Sequence, residues 1–244
     1  MGRLLAALLL VLSASVARAE TMVVALSTPS IEVSANFAGT HLALFGVVER
    51  DHATVSRAGK YELVVVVEGP SETLLVQQKQ RVAGIWVNAE GTVFADMPSF
   101  FAVYTTPDAG HLLTEYADER LSLASLTANI RTRADFKEAV VRVRQDDALF
   151  VEDVGAVTRL TDMFFRTLIH LPPLIDDGDY TVTTHLFADG VRLDTTEAVF
   201  TVAKVGIEQS LFWFATERPL FYGLGVVLLA LVTGYVGGIV FRRN

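Results

Sequence analysis

The chain has 244 residues, enough for one large domain or two small ones, and it carries 28 acidic against 20 basic side chains. It has no cysteine, which excludes a disulfide framework, a thiolate nucleophile, Cys-ligated zinc and a lipidated cysteine. Setting aside Arg3, Arg18, Arg242 and Arg243 at the ends leaves 16 of the 20 basic residues against all 28 acids, a body of net charge −12, which disfavours nucleic acid and offers anionic headgroups no broad basic surface.

A hydrophobic fraction of 51% is high for a soluble protein, and the excess sits at the two ends. At the first, Arg3 precedes an uncharged apolar stretch from Leu4 to Ala17, followed by the small-residue pattern Ala17-Arg18-Ala19. Those 14 residues are short of the roughly 20 that cross a bilayer, so residues 1–19 are expected to be a secretory signal cleaved after Ala19.

The body reads as β. His41 to Glu49 and the valine run Tyr61 to Glu68 have strand length and composition, the second suited to a central strand covered on both faces. Trp86, Phe94, Phe100, Phe101 and Tyr104 cluster near Met97-Pro98 and are expected to fill a core. Leu112 to Asn129 reads as helical. Asp135 and Glu138 then form a capping box ahead of Phe136, Ala139, Val140 and Val143, the pattern of a short amphipathic helix. Phe165, Thr167, Ile169 and Leu171 alternate as in a strand with one buried side.

Asp176-Asp177-Gly178-Asp179-Tyr180-Thr181-Val182 leads into a strand to about Phe187, and Asp189-Gly190 turns the chain into a second strand from Val191 to about Ala203. An acidic-Gly-x-Tyr approach to a hairpin is similar to the tyrosine corner of immunoglobulin-like sandwiches. The expected fold is therefore mainly β: an immunoglobulin-like β-sandwich over residues 20–206 with an α-helical insertion at about 108–150, followed by a single C-terminal transmembrane helix.

Residues 207–219 read as a juxtamembrane amphipathic helix, with Ile207, Leu211, Phe214 and Ala215 on one face. Leu220 to Phe241 then runs 22 residues without a charge, about 33 Å as a helix, which matches the hydrocarbon core. Trp213 and Tyr222 are the expected interfacial anchors on one side, and Arg242 and Arg243 on the other; the Arg pair places the tail 242–244 in the cytoplasm and the body outside. Ala230, Gly234 and Gly238 recur every four residues, a stripe along which another helix, including a second copy of this one, could pack closely.

Candidate chemistry is sparse. His41, His52, His111, His170 and His185 include no pair at metal-ligand spacing on one turn or strand. There is no G-x-S-x-G elbow and no H-E-x-x-H. The acidic clusters Asp146-Asp147, Glu152-Asp153 and 176–179 lack the spacing of an EF-hand loop and read as solvated turns. No catalytic residue, cofactor or metal site is expected.

The segments Ile85-Trp86-Val87-Asn88, 97–103, 178–182 and the 204–220 junction together resemble the alphaproteobacterial transmembrane protein family labelled Alph_Pro_TM, over nearly the whole mature chain. The resemblance implies the order signal, domain, anchor and no defined activity. It also implies a role as an accessory partner beside a sulfite-exporter-like permease of the TauE/SafE type. The first expectation is thus a non-catalytic inner-membrane protein whose periplasmic domain binds a membrane or envelope protein, with the lipid bilayer as its other partner. A tethered small-molecule or metal-binding domain is the second, and an unrecognised hydrolase the third.

Overall fold

In a computed structural model the described residues are 20–49, 60–206, 212 and 214–241. The expected signal, His52, residues 207–211 of the juxtamembrane segment, Trp213, Arg242 and Arg243 lie outside them. Packing divides the chain into two units, residues 1–31 with 38–202 and residues 32–37 with 203–244.

The elements run β1 (Thr21–Leu26), β2 (Ser30–Val33), β3 (Thr40–Glu49), β4 (Glu62–Glu68), β5 (Ser71–Val82), β6 (Ile85–Pro98) and β7 (Phe101–Thr105). A helical segment follows: a 3₁₀ turn (Ala109–His111), α1 (Leu112–Glu115), α2 (Leu123–Ala128) and α3 (Ala134–Asp146). Then come β8 (Phe150–Val154), β9 (Thr158–Arg159), β10 (Phe164–Leu171), β11 (Gly178–Ala188), β12 (Val191–Lys204) and, in the second unit, α4 (Pro219–Phe241).

The protein is mainly β. Among the described residues, one sheet has four strands in the order β1-β3-β10-β9, another has six in the order β2-β12-β11-β4-β7-β8, and β5 and β6 pair with each other. The core lies along the inner faces. In β3, Leu42, Leu44, Gly46 and Val48 are buried, and in β10, Phe165, Thr167, Ile169 and Leu171, as their alternation requires. A Cβ on Gly46 would stand 2.0 Å from the ring of its cross-strand partner Phe165, so that position takes only glycine beside this ring. Leu63 to Val67 of β4 are buried on both faces, between β11 and β7, as the valine run predicts.

The tyrosine corner is present in its hydrogen bond. The Tyr180 hydroxyl donates to the Asp176 carbonyl at 2.7 Å, the ring stacks on Phe200, and burial pushes its pKa up to about 12. Asp189 and Gly190 both take positive φ, 52° and 76°, the geometry of the Asp-Gly turn expected between β11 and β12. One pairing departs from an all-antiparallel immunoglobulin sandwich: β7 and β8 run parallel, Phe101 against Phe150 through Thr105 against Val154, with the helical segment as their crossover.

Three local expectations are corrected. The stretch 112–129 is two short helices separated by a turn, because a genuine capping box at Ser122 and Ser125 restarts the helix there. Asp135 and Glu138 form no box: α3 starts at Ala134 after an extended Arg133, and the Asp135 carboxylate instead accepts from the Arg133 guanidinium. The buried face of α3 is Phe136 and Val140, while Val143 is 56% exposed. Trp86 is not core. Phe94, Phe100, Phe101 and Tyr104 are buried, but Trp86 is 66% exposed near the turn of the β5–β6 hairpin.

Candidate functional site

Several outward side chains of the four-stranded sheet are apolar. Strand alternation turns Val23 and Ala25 of β1, Ala43, Phe45 and Val47 of β3, and Phe164 and Leu168 of β10 away from the core. Register lines them up in rungs across the sheet. Val23, Val47 and Phe164 form one, Ala25, Phe45 and Arg166 the next, Ala43 and Leu168 a third. Phe45 and Phe164 stack at 6.3 Å between ring centres, and Val23, Val47 and Leu168 are each two-fifths or more exposed. The β1 edge is partly blocked, since Asp194 accepts from the Met22 backbone N–H and Thr196 donates to the Met22 carbonyl.

The same register brings together two histidines that sequence spacing had kept apart. His41 and His170 are direct cross-strand partners at the end of this face, with His170 Nδ1 3.2 Å from His41 Nε2. A metal held at about 2.0–2.1 Å by both nitrogens would be gripped at roughly the tetrahedral angle. The pair is nevertheless half a site, because among the described residues no group of three or more His, Asp or Glu side chains could hold an ion. A 129-residue separation hid it, and only knowledge that β3 pairs with β10 in this register could have revealed it.

His185 is a different kind of histidine. It is buried on β11, its Nδ1 lies 3.0 Å from Thr195 Oγ1, and burial aided by the nearby Arg192 lowers its pKa to about 4. Arg192 lies over the rings of Tyr116 and Phe187 and pairs with Glu119. This is a packed cation, not a substrate handle. Glu68 is raised by burial, with Arg120 3.5 Å away opposing the shift.

Two members of the acidic clusters have local partners. Glu152 accepts from the Leu123 backbone N–H at 2.9 Å and so caps α2, and Asp179 accepts from the Thr201 hydroxyl at 2.7 Å. A cleft of about 610 Å³ opens beside α2, lined by Leu113, Leu123, Ala124, Val141, Gln145 and Glu152. Its serines serve the Ser122–Ser125 capping box, so they are tied to backbone and not to a base.

In the second unit, α4 contains a 21-residue stretch, Pro219–Ile239, with mean hydropathy 2.0 and no part of it buried within the chain. Ala230, Gly234 and Gly238 are exposed along it, and a Cβ on either glycine would meet nothing within 4 Å. Thr233, the polar exception with Tyr235, donates its hydroxyl to the Leu229 carbonyl at 2.7 Å, which satisfies it inside the helix. Tyr222 lies in the first turn and is partly exposed. Just ahead of the span, residues 212 and 214–217 are helical.

Comparison with curated proteins returns no match. Among solved structures, one similar chain is Spo0M, a sporulation control protein from Bacillus subtilis, at 8% identity and a TM-score of 0.28. The match covers 82% of this chain and 55% of that one, so the chain spans about half the length of that structure. A family model does match, over residues 21–243, under the description "Putative transmembrane protein (Alph_Pro_TM)". A β-domain followed by one apolar helix of spanning length, matched almost end to end, makes this chain a member of the Alph_Pro_TM transmembrane family.

Proposed function

We propose that this protein is a non-catalytic, single-pass membrane adaptor whose β-sandwich binds another membrane protein of the bacterial envelope. The observation that carries the reading is the outward apolar face of the four-stranded sheet, with Val23, Phe45, Val47, Phe164 and Leu168 in adjacent rungs. Contiguous exposed apolar surface of this kind marks interaction sites. Glu152, Tyr180 and Arg192 are engaged in a helix cap, a corner and a packed ion pair.

In this reading the signal is cleaved, the immunoglobulin-like sandwich stands in the periplasm, and Arg242 and Arg243 hold the tail in the cytoplasm. Its partner is a polytopic permease of the sulfite-exporter-like type, gripped by the sheet face and by the Ala230, Gly234 and Gly238 stripe. A tethered small-molecule binder is the second reading, favoured by the cleft at α2. The test is photocrosslinking in cells from probes at Val47 and at Gly234. Capture of one polytopic protein by both probes is expected; capture of nothing by the Val47 probe would remove the adaptor reading and leave the cleft to be screened for ligands.

A further inference from the structure

Hairpin β5–β6 changes character along its length. Near its base it is held by the helical segment: Arg144 pairs with Glu72, Arg133 with Glu90, Thr92 Oγ1 lies 3.0 Å from Thr132 Oγ1, and Phe94 and Met97 are buried. From Gln77 out to the turn and back to Gly91 every residue is exposed. Six residues of strand at about 3.3 Å each carry this arm roughly 20 Å outward. Ala83 and Gly84 close it with positive φ at both positions, 51° and 87°, the geometry of a two-residue type I′ turn.

A solvated arm of this kind ought to be polar at its end. Instead Val82, Ile85, Trp86 and Val87 surround the turn, 56%, 68%, 66% and 40% exposed. Cross-strand register sets Val82 opposite Ile85 and Gln80 opposite Val87 on one face, and Arg81 opposite Trp86 and Lys79 opposite Asn88 on the other. Apolar side chains therefore occupy the outermost rungs of both faces. The only charges between residues 73 and 89 are Lys79 and Arg81, in a body that as a whole carries a net −12.

We infer that the β5–β6 tip is a membrane-contact site, which inserts Val82, Ile85 and Trp86 at the headgroup–acyl boundary of an anionic bilayer while Lys79 and Arg81 meet lipid phosphates. Three observations select lipid as the occupant. The stretch 73–89 carries two cations and no acid, which matches a negatively charged surface. Tryptophan beside a cation is the side-chain pair that membrane interfaces favour. The chain belongs to a transmembrane family, so a bilayer is tethered to this domain at high effective concentration. The apolar tip, two rungs and a turn, has about the 5–10 Å depth of the boundary region. This site is independent of the sheet face proposed above.

The experiment uses the full-length chain with Trp213→Phe, which leaves Trp86 as the single tryptophan, in nanodiscs containing phosphatidylglycerol. Expected is a blue-shifted Trp86 emission that lipids brominated near the headgroup quench more strongly than lipids brominated deep in the chain. Lys79→Gln and Arg81→Gln should each lower the ratio of inserted to free tip roughly fivefold. Emission of a fully hydrated indole, untouched by brominated lipid, would overturn the proposal. So would a blue shift that brominated lipid leaves unquenched, since the tip would then be covered by protein, either a second copy or another partner.

Discussion

Strands β4 and β5 are separated by two residues and share a strand-forming composition, yet they meet opposite fates. β4 has Leu63 to Val67 buried on both faces, while β5 has Leu75 61% exposed and Val82 56% exposed. The switch is at Gly69-Pro70. Gly69 donates its N–H to the Phe100 carbonyl, and a Cβ there would crowd Ser99 Oγ and the Tyr180 ring, so the chain passes tightly out of the sandwich at this point. β6 returns to it at Pro98, where Ser99 donates to the Pro70 carbonyl and β7 resumes pairing with β4. The lesson is that β-propensity states how a segment pairs and not what covers it; cover comes from the neighbours that the topology supplies.

The contrast can be broken most directly by truncation. Leu63→Ala in β4 should cost about 2–5 kcal/mol, because a 1%-exposed side chain leaves a cavity, while Ile85→Ala at the tip should stay within about 0.5 kcal/mol by chemical denaturation. Equal losses would mean the hairpin is packed in solution. Next in size is acid. His185 is held neutral in the folded sandwich with its pKa lowered to about 4 by burial, while the unfolded chain protonates near the ordinary 6.5. Its contribution is intact above about pH 6.5 and is lost as pH falls from there toward 4, on the order of 2 kcal/mol. His185→Gln should flatten the melting-temperature slope across that window and leave Trp86 fluorescence unchanged.

Glycines sharpen the comparison further. Gly46→Ala should destabilise by about 1–3 kcal/mol, since its Cβ overlaps the fixed ring of Phe165, whereas at the exposed Gly91 of β6 the nearest atom is the mobile Gln77 Cγ at 3.2 Å. The smallest effect should be a gain. Ala83 sits at φ 51°, which asparagine tolerates better, so Ala83→Asn should stabilise the hairpin by up to about 1 kcal/mol, visible as slower amide exchange across Arg81 and Trp86.

Much of the sandwich was legible because its signals are local. Tyr180 lies four residues after the carbonyl it bonds, Asp189-Gly190 is a turn dipeptide, and Phe165 to Leu171 alternate on one strand. The hairpin was not, since Ala83-Gly84 is a poor turn signal and Trp86 reads as core wherever aromatics gather near strands. The acid-free stretch with Gln77, Gln78, Lys79, Gln80, Arg81 and Asn88 was the available clue that this segment projects into water. The outward sheet face was also hidden, because it depends on β3 lying between β1 and β10, and the His41–His170 pair depends on that same long-range register.

The strand order also dictates when the fold can be completed. In the six-stranded sheet the second strand of the chain lies beside the last, and in the four-stranded sheet β3 must wait for β10. Such distant pairings are entropically slow to close, while the β5–β6 hairpin can zip on a microsecond scale from its own turn. The arm can therefore be the first part of the molecule to take shape and the sandwich the last, sealed only when β12, the strand immediately ahead of the membrane helix, has been added.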